Sequence, residues 1–295
     1  MQSNVVTAVF LPIALAIIMF GLGLSLTIGD FRRVVVYPRA VIVGLVCQML
    51  ILPAICFGIA KAFGLAPELA VGLMLLAASP GGATANLFSH LAKGDVALNV
   101  TLTAVNSVLS LLTLPFIVNF AMRQFMGAEK AIPLQFDKAI QVFAIVLIPV
   151  AIGMVVKSRS PRTADGLNRP VRILSALFLV LVIASAIAKE RHTLLGFFQQ
   201  VGLAALTFNL ASMALGYFVP RAARVERKQA IAIGMEIGIH NGTLAIAIAS
   251  SPRLLNNGTM AIPPAIYSLI MFFTAALFGF IVSRGEPVTQ PADAA

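Results

Sequence analysis

An all-α polytopic membrane protein is the fold class predicted here, from an apolar composition, apolar runs at regular intervals, and charge confined to the gaps between them. Of 295 residues, 59% are hydrophobic and 11% are charged, and mean hydropathy is +0.97. A soluble domain carries about 25% charged residues. A helix needs about 20 residues, at 1.5 Å each, to cross roughly 30 Å of hydrocarbon. Nine runs meet that length, at about 5–28, 38–60, 68–90, 96–122, 138–156, 172–188, 194–219, 229–249 and 261–283.

Span 1 is retained as a helix rather than read as a signal peptide. No Lys or Arg precedes Arg32, and the run exceeds the h-region of about 7–15 residues. Span 2 carries Gln48, a donor and an acceptor in one amide, which serves either as glue between helices or as a ligand. It also carries Cys47 and Cys56. A helix separates these by about 13 Å, beyond disulfide reach, so both are packing residues.

Span 3 is interrupted by SPGGATANLFSH, in which Pro80, Gly81 and Gly82 precede Thr84 and Asn86. Proline removes a donor and clashes with the preceding turn, and glycine adds freedom, so the helix breaks or kinks there. In span 4, Asn99, Thr103, Asn106, Ser110 and Thr113 recur every three or four residues. They draw one polar stripe, expected to face span 3 or a watery cavity. Ser110 and Thr113 fit back-bonding to their own helix, whereas Asn99 and Thr103 lie nearer Asn86 and favour a functional role.

Span 8 contains GMEIGIHNGTLAIA. Ten of the eleven acids lie in loops or at span ends, and Glu236 is the eleventh. An intramembrane carboxylate costs a few kcal/mol, and no span offers it a basic partner. It is either a protonated glue residue or the seat of a bound cation. His240 lies one turn further along the same face, followed by Asn241, while Gly238 and Gly242 weaken the helix. Lipid cannot satisfy the backbone groups freed by a break, so a broken span survives where it lines a site.

Spans 3 and 8 are five apart and therefore cross in opposite directions. Two interrupted spans in antiparallel, corresponding positions point to an inverted-repeat secondary transporter. The predicted division is a first repeat over 1–122, a connection over 123–137, a second repeat over 138–283 and a polar tail over 284–295. Carboxylate, amide and backbone oxygens suit a small hard cation, and half-helix N-termini suit an anion.

The net charge of +10 does not signal nucleic acid, because the basic residues sit in short loops without interleaved aromatics. Of the 21 Lys and Arg, 14 fall in one alternate set of loops and 7 in the other. The positive-inside rule then places the N-terminus outside the cell (inner) membrane and the C-terminus in the cytoplasm. Enzyme activity is not expected: one embedded acid cannot form a carboxylate dyad, His240 has no nucleophile partner, and no metal cluster is spaced for ligation.

GMEIGIHNGTLA, SPGGATANL, KGDVALNVTLT and Gln48 together resemble the bile acid:sodium symporter family over essentially the whole chain. The resemblance implies two crossing broken helices, a panel of spans 1, 5 and 6, and a core of spans 2, 3, 4, 7, 8 and 9. It implies sodium as the coupling ion and import of an organic anion, a bile acid or smaller carboxylate, by alternating access. One sodium site would use the side chains of Asn86, Asn99, Thr103 and Glu236. The second would use Gln48, Glu236 and the carbonyls of Ile237, Ile239 and His240. Thr84 and Asn241 would meet the substrate. The family usually has serine at Ala85 and glutamine at His240. A neutral imidazole at 240 can still ligate, while a protonated one would replace the charge of a second sodium and make transport depend on pH. The alternative is a sodium/proton exchanger carrying its ion on Glu236 without an organic substrate.

Overall fold

The computed structural model describes residues 11–127, 136–171, 173, 174, 177, 194–251 and 254–284. Among them every regular element is helical. Helix α1 (Leu11–Ser25) turns by 70° into the short α2 (Ile28–Arg32). Thr27 begins α2 with a capping box: its backbone N–H and hydroxyl both donate to Asp30 Oδ2, at 2.7 and 2.8 Å. Arg33 Nη1 donates to the other oxygen of Asp30 at 2.8 Å, so this buried acid is fully engaged.

Helix α3 runs from Pro38 to Ala62 and contains one π turn, Cys47–Ile51. Such a turn adds a residue to the helix locally and re-aims the side chains on it, here Gln48. Span 3 appears as two half-helices, α4 (Pro67–Ala78) and α5 (Ala85–Leu91). Helix α6 (Val96–Met126) starts at Asp95, whose side chain accepts from the Leu98 N–H at 3.0 Å. Pro115 lies within it, and its halves Val96–Ser110 and Leu112–Met126 are bent by 59°. The bend sits at the turn whose carbonyl the proline ring would strike.

After α7 (Phe136–Arg159) and a helical stretch over 161–171 come α8 (Leu194–Ala222), the half-helices α9 (Arg227–Gly238) and α10 (Gly242–Ser250), and α11 (Ile262–Ser283). Eight of the nine predicted spans thus coincide with a helix or a pair of half-helices. Most of the sixth, 172–188, lies outside the described residues. Among the described residues, three helices are long and apolar enough to cross unbroken, and the two bent pairs raise that to five.

Small residues set the helix packing, as expected where lipid removes the hydrophobic drive between helices. A Cβ on Gly23 would overlap the Val150 backbone, and one on Gly153 would strike the backbone of Phe20 to Leu24, so α1 and α7 meet main chain to main chain. Gly216 of α8 leaves room for the Ile237 side chain and the Gly234 backbone of α9. Bulky residues point outward instead. Phe273, Leu277, Phe280 and Ile281 recur at helical spacing on α11 and are all exposed, a stripe that lipid covers.

Candidate functional site

The two breaks cross. Gly81 and His240 form an isolated antiparallel bridge in which the Gly82 N–H donates to the Ile239 carbonyl at 2.6 Å and the Asn241 N–H donates to the Pro80 carbonyl at 2.9 Å. Each break thereby satisfies backbone groups of the other, which lipid could not do. Pro80 explains the break in span 3, and the glycine that follows explains how close the crossing is. A Cβ on Gly81 would occupy the space of the Glu236 carboxyl group.

Glu236 is 1% exposed and makes no ion pair among the described residues. Thr103 Oγ1 donates to its Oε2 at 2.6 Å, Asn106 Nδ2 donates to its Oε1 at 3.2 Å, and the Gly81 backbone amide lies against it. The stripe expected to face span 3 or a cavity therefore engages span 8. Asn99 Nδ2 donates to the Ala232 carbonyl at 2.7 Å, one turn before Glu236. The lower stripe behaves as read: Ser110 and Thr113 donate to the Ser107 and Leu109 carbonyls of their own helix, each at 3.3 Å.

The amides around Glu236 share a pattern. Gln48 Nε2 donates to the Ser79 carbonyl at 3.0 Å, as Asn99 Nδ2 does to Ala232. A carbonyl only accepts, so the nitrogen of each amide must face it. The oxygens Gln48 Oε1, Asn99 Oδ1, Asn106 Oδ1 and Asn86 Oδ1 are all buried without a hydrogen-bond partner. Each such acceptor costs about 1–3 kcal/mol if it stays unsatisfied. Three of these residues, Gln48, Asn99 and Asn106, are hydrogen-bonded to the broken spans, and their spare oxygens with the carboxylate match the donor chemistry of a small hard cation.

His240 is buried, stacked on Phe208 with ring centroids 5.7 Å apart and edge-on to Tyr267 at 5.4 Å. Its Nδ1 lies 3.4 Å from the Ser79 carbonyl, and its Nε2 has no partner. Of the three carbonyls assigned to the second sodium site, that of Ile239 accepts from Gly82 and that of His240 accepts from the Gly242 N–H at 3.0 Å. Asn241 caps α10, its Oδ1 accepting from the Leu244 N–H at 3.0 Å, while Thr84 is exposed at the start of α5.

Asn106 was legible as a member of the polar stripe but not as a direct partner of Glu236. Its three-residue step from Thr103 already placed it on the same face. Asn209 and Tyr267 also reach the crossing, each donating to the Gly238 carbonyl at 2.9 Å. An isolated polar residue in an otherwise apolar span was the only signal for them.

An embedded acid at a crossing of broken helices, with unpartnered amide oxygens on the helices that meet there, fits an ion-coupled membrane transporter. Comparison with known proteins makes the class specific: the chain belongs to the Sodium Bile acid symporter family, whose family model matches residues 12–197. It is 27% identical over 260 residues to an uncharacterized sodium-dependent transporter, YocS, of Bacillus subtilis, covering 88% of this chain and 78% of that one. It is 28% identical over 282 residues to the probable sodium/metabolite cotransporter BASS2, chloroplastic, of Oryza sativa subsp. japonica, covering 95% of this chain and 66% of the plant one. Against the ileal sodium/bile acid cotransporter of Homo sapiens it is 26% identical over 285 residues, 95% of this chain and 80% of the human one. The protein is thus an integral membrane, sodium-dependent transporter of the symporter type and not an enzyme.

Proposed function

We propose that the protein imports a small organic anion together with sodium by alternating access. The observation that carries this reading is Glu236, buried without a basic partner among the described residues and hydrogen-bonded by Thr103 and by Asn106, whose own amide oxygen is spare. One sodium is held by Asn86, Asn99, Thr103 and Glu236. The other is held by Gln48, Glu236 and the carbonyls of Ile237, Ile239 and His240. The anion meets the crossing on the side where α10 begins, with Asn241 and Thr84 as its contacts.

Sodium beside Glu236 neutralises the carboxylate and draws the spare oxygens inward, which makes the nearby half-helix N-terminus a better anion site. By linkage, the anion strengthens sodium binding by the same factor. The pairing of α1 with α7 supports a panel that packs as a unit beside the core. The excess of basic residues in one set of loops supports an N-terminus outside the inner membrane.

The test is uptake of a panel of small carboxylates and bile salts into proteoliposomes, with and without a sodium gradient. Glu236→Gln is expected to abolish sodium-driven uptake while the protein remains folded, as read by size-exclusion elution and thermal shift. Sodium-driven uptake that survives in this variant removes Glu236 from the ion site. If sodium and pH alone shift the melting temperature and no carboxylate does, the exchanger reading replaces this one.

A further inference from the structure

The bridge pairs Gly81 with His240, so the exchange that swaps the two breaks also swaps Ser79 with Gly238, each two residues earlier. These residues end the incoming half-helices α4 and α9, where the last carbonyls have no partner within the helix. Both carbonyls are approached by two side chains. The Ser79 carbonyl accepts from Gln48 Nε2 of span 2 at 3.0 Å and faces His240 Nδ1 at 3.4 Å. The Gly238 carbonyl accepts from Asn209 Nδ2 of span 7 and from the Tyr267 hydroxyl, both at 2.9 Å. Spans 2 and 7 are themselves counterparts in the predicted repeats, so Gln48 and Asn209 are equivalent amides doing equivalent things to equivalent carbonyls.

Their oxygens differ. Gln48 Oε1 is buried and unpartnered, whereas Asn209 Oδ1 accepts from the Thr274 hydroxyl of α11, which also lies near the Ile270 and Met271 carbonyls. One amide keeps its oxygen for a ligand, and the other has that oxygen capped. We infer that Asn209, seated by Thr274 and assisted by Tyr267, is a positioning residue for the second sodium site. It holds the Gly238 peptide so that the neighbouring carbonyls of Ile237, Ile239 and His240 keep the directions an ion needs.

Asn209 and Tyr267 touch no ion; they act through one carbonyl in the middle of the ligand run. Asn209 is fully buried, as is Tyr267, so water cannot replace either donor. Without them the Gly238 carbonyl is left unsatisfied in a dry interior and its peptide turns toward another partner, carrying the peptides on both sides with it. This inference rests on the sodium-site reading above, and the experiment separates the two.

Uptake is measured as a function of sodium for Asn209→Ala, Tyr267→Phe, Thr274→Ser and Glu236→Gln. Tyr267→Phe keeps the ring and loses one of two donors, and the sodium concentration for half-maximal uptake is expected to rise about three- to tenfold. Asn209→Ala is expected to raise it about tenfold or more. In both, maximal uptake at saturating sodium stays within about twofold, because only ion-site geometry is disturbed. Thr274→Ser keeps the hydroxyl and is expected to match the wild type. If Asn209→Ala does not fold, Tyr267→Phe reads the same quantity.

An unchanged sodium half-saturation in Tyr267→Phe and in any folded Asn209→Ala overturns the inference, as does a loss confined to maximal uptake. If Glu236→Gln abolishes sodium dependence while these variants leave it untouched, the positioning role alone fails. If Glu236→Gln also keeps sodium dependence, the site reading fails first.

Discussion

Spans 3 and 8 are broken in the same way and meet at one bridge, yet they bring different chemistry to it. The first break supplies backbone: Pro80 ends the helix, and Gly81 and Gly82 let the other chain come close. The second supplies polar side chains, with Glu236 before the break and His240 and Asn241 within it. A carboxylate can sit at the crossing because the chain opposite has no side chain there. Charge on one break and bare backbone on the other are therefore a single requirement, which two identical breaks could not meet.

Gly81→Ala attacks this division most directly, because the new methyl group takes the space of the Glu236 carboxyl. The carboxyl must move away, breaking its hydrogen bonds to Thr103 and Asn106, and about a hundredfold loss of sodium-driven uptake is expected. Uptake per folded protein measures it. Near-normal uptake would show that the crossing is looser than the geometry indicates. Thr103→Val comes next, since it removes the 2.6 Å hydrogen bond to Glu236 and an oxygen of the proposed sodium site while keeping the side-chain shape. Hydrogen bonds to charged groups are worth about 1.5–3 kcal/mol, so sodium half-saturation is expected to rise at least about tenfold.

His240→Gln keeps a donor for the Ser79 carbonyl and loses the packing on Phe208 and Tyr267. Sodium half-saturation is expected to change by less than about threefold. Repeating the measurement at several pH values shows whether the imidazole carries a proton, because only a titrating ring makes the two proteins diverge with pH. Ser110→Ala is the smallest change. Its hydroxyl serves its own helix, so uptake is expected to match the wild type and stability to move by no more than about 0.5 kcal/mol.

Both breaks, the embedded acid and the polar stripe were legible because each is a local anomaly: a proline with glycines, a charge, or a period of three to four in an apolar run. What the chain touches across space was not legible in the same way. Asn209 and Tyr267 are single polar residues that form no periodic stripe, and their partner is a backbone carbonyl, which leaves no complementary residue to find in the sequence. The π turn that carries Gln48 was equally hidden, since Cys47–Ile51 has the composition of any buried helix. The helix that carries the stripe packs on span 3, but its hydrogen bonds to span 8 were not legible, because periodicity fixes an angle around an axis and does not name every helix that lies there.

The backbone bridge between the breaks has a mechanical meaning. Pulling Gly81 away from His240 would break two hydrogen bonds, leaving two N–H groups and two carbonyls without their partners. The crossing therefore behaves as a pinned joint, in which a push on one broken span is felt at once by the other. On the proposed sodium site, an ion drawn to Glu236 on one span would be reported to both halves of the molecule, with no messenger beyond the peptide bonds themselves.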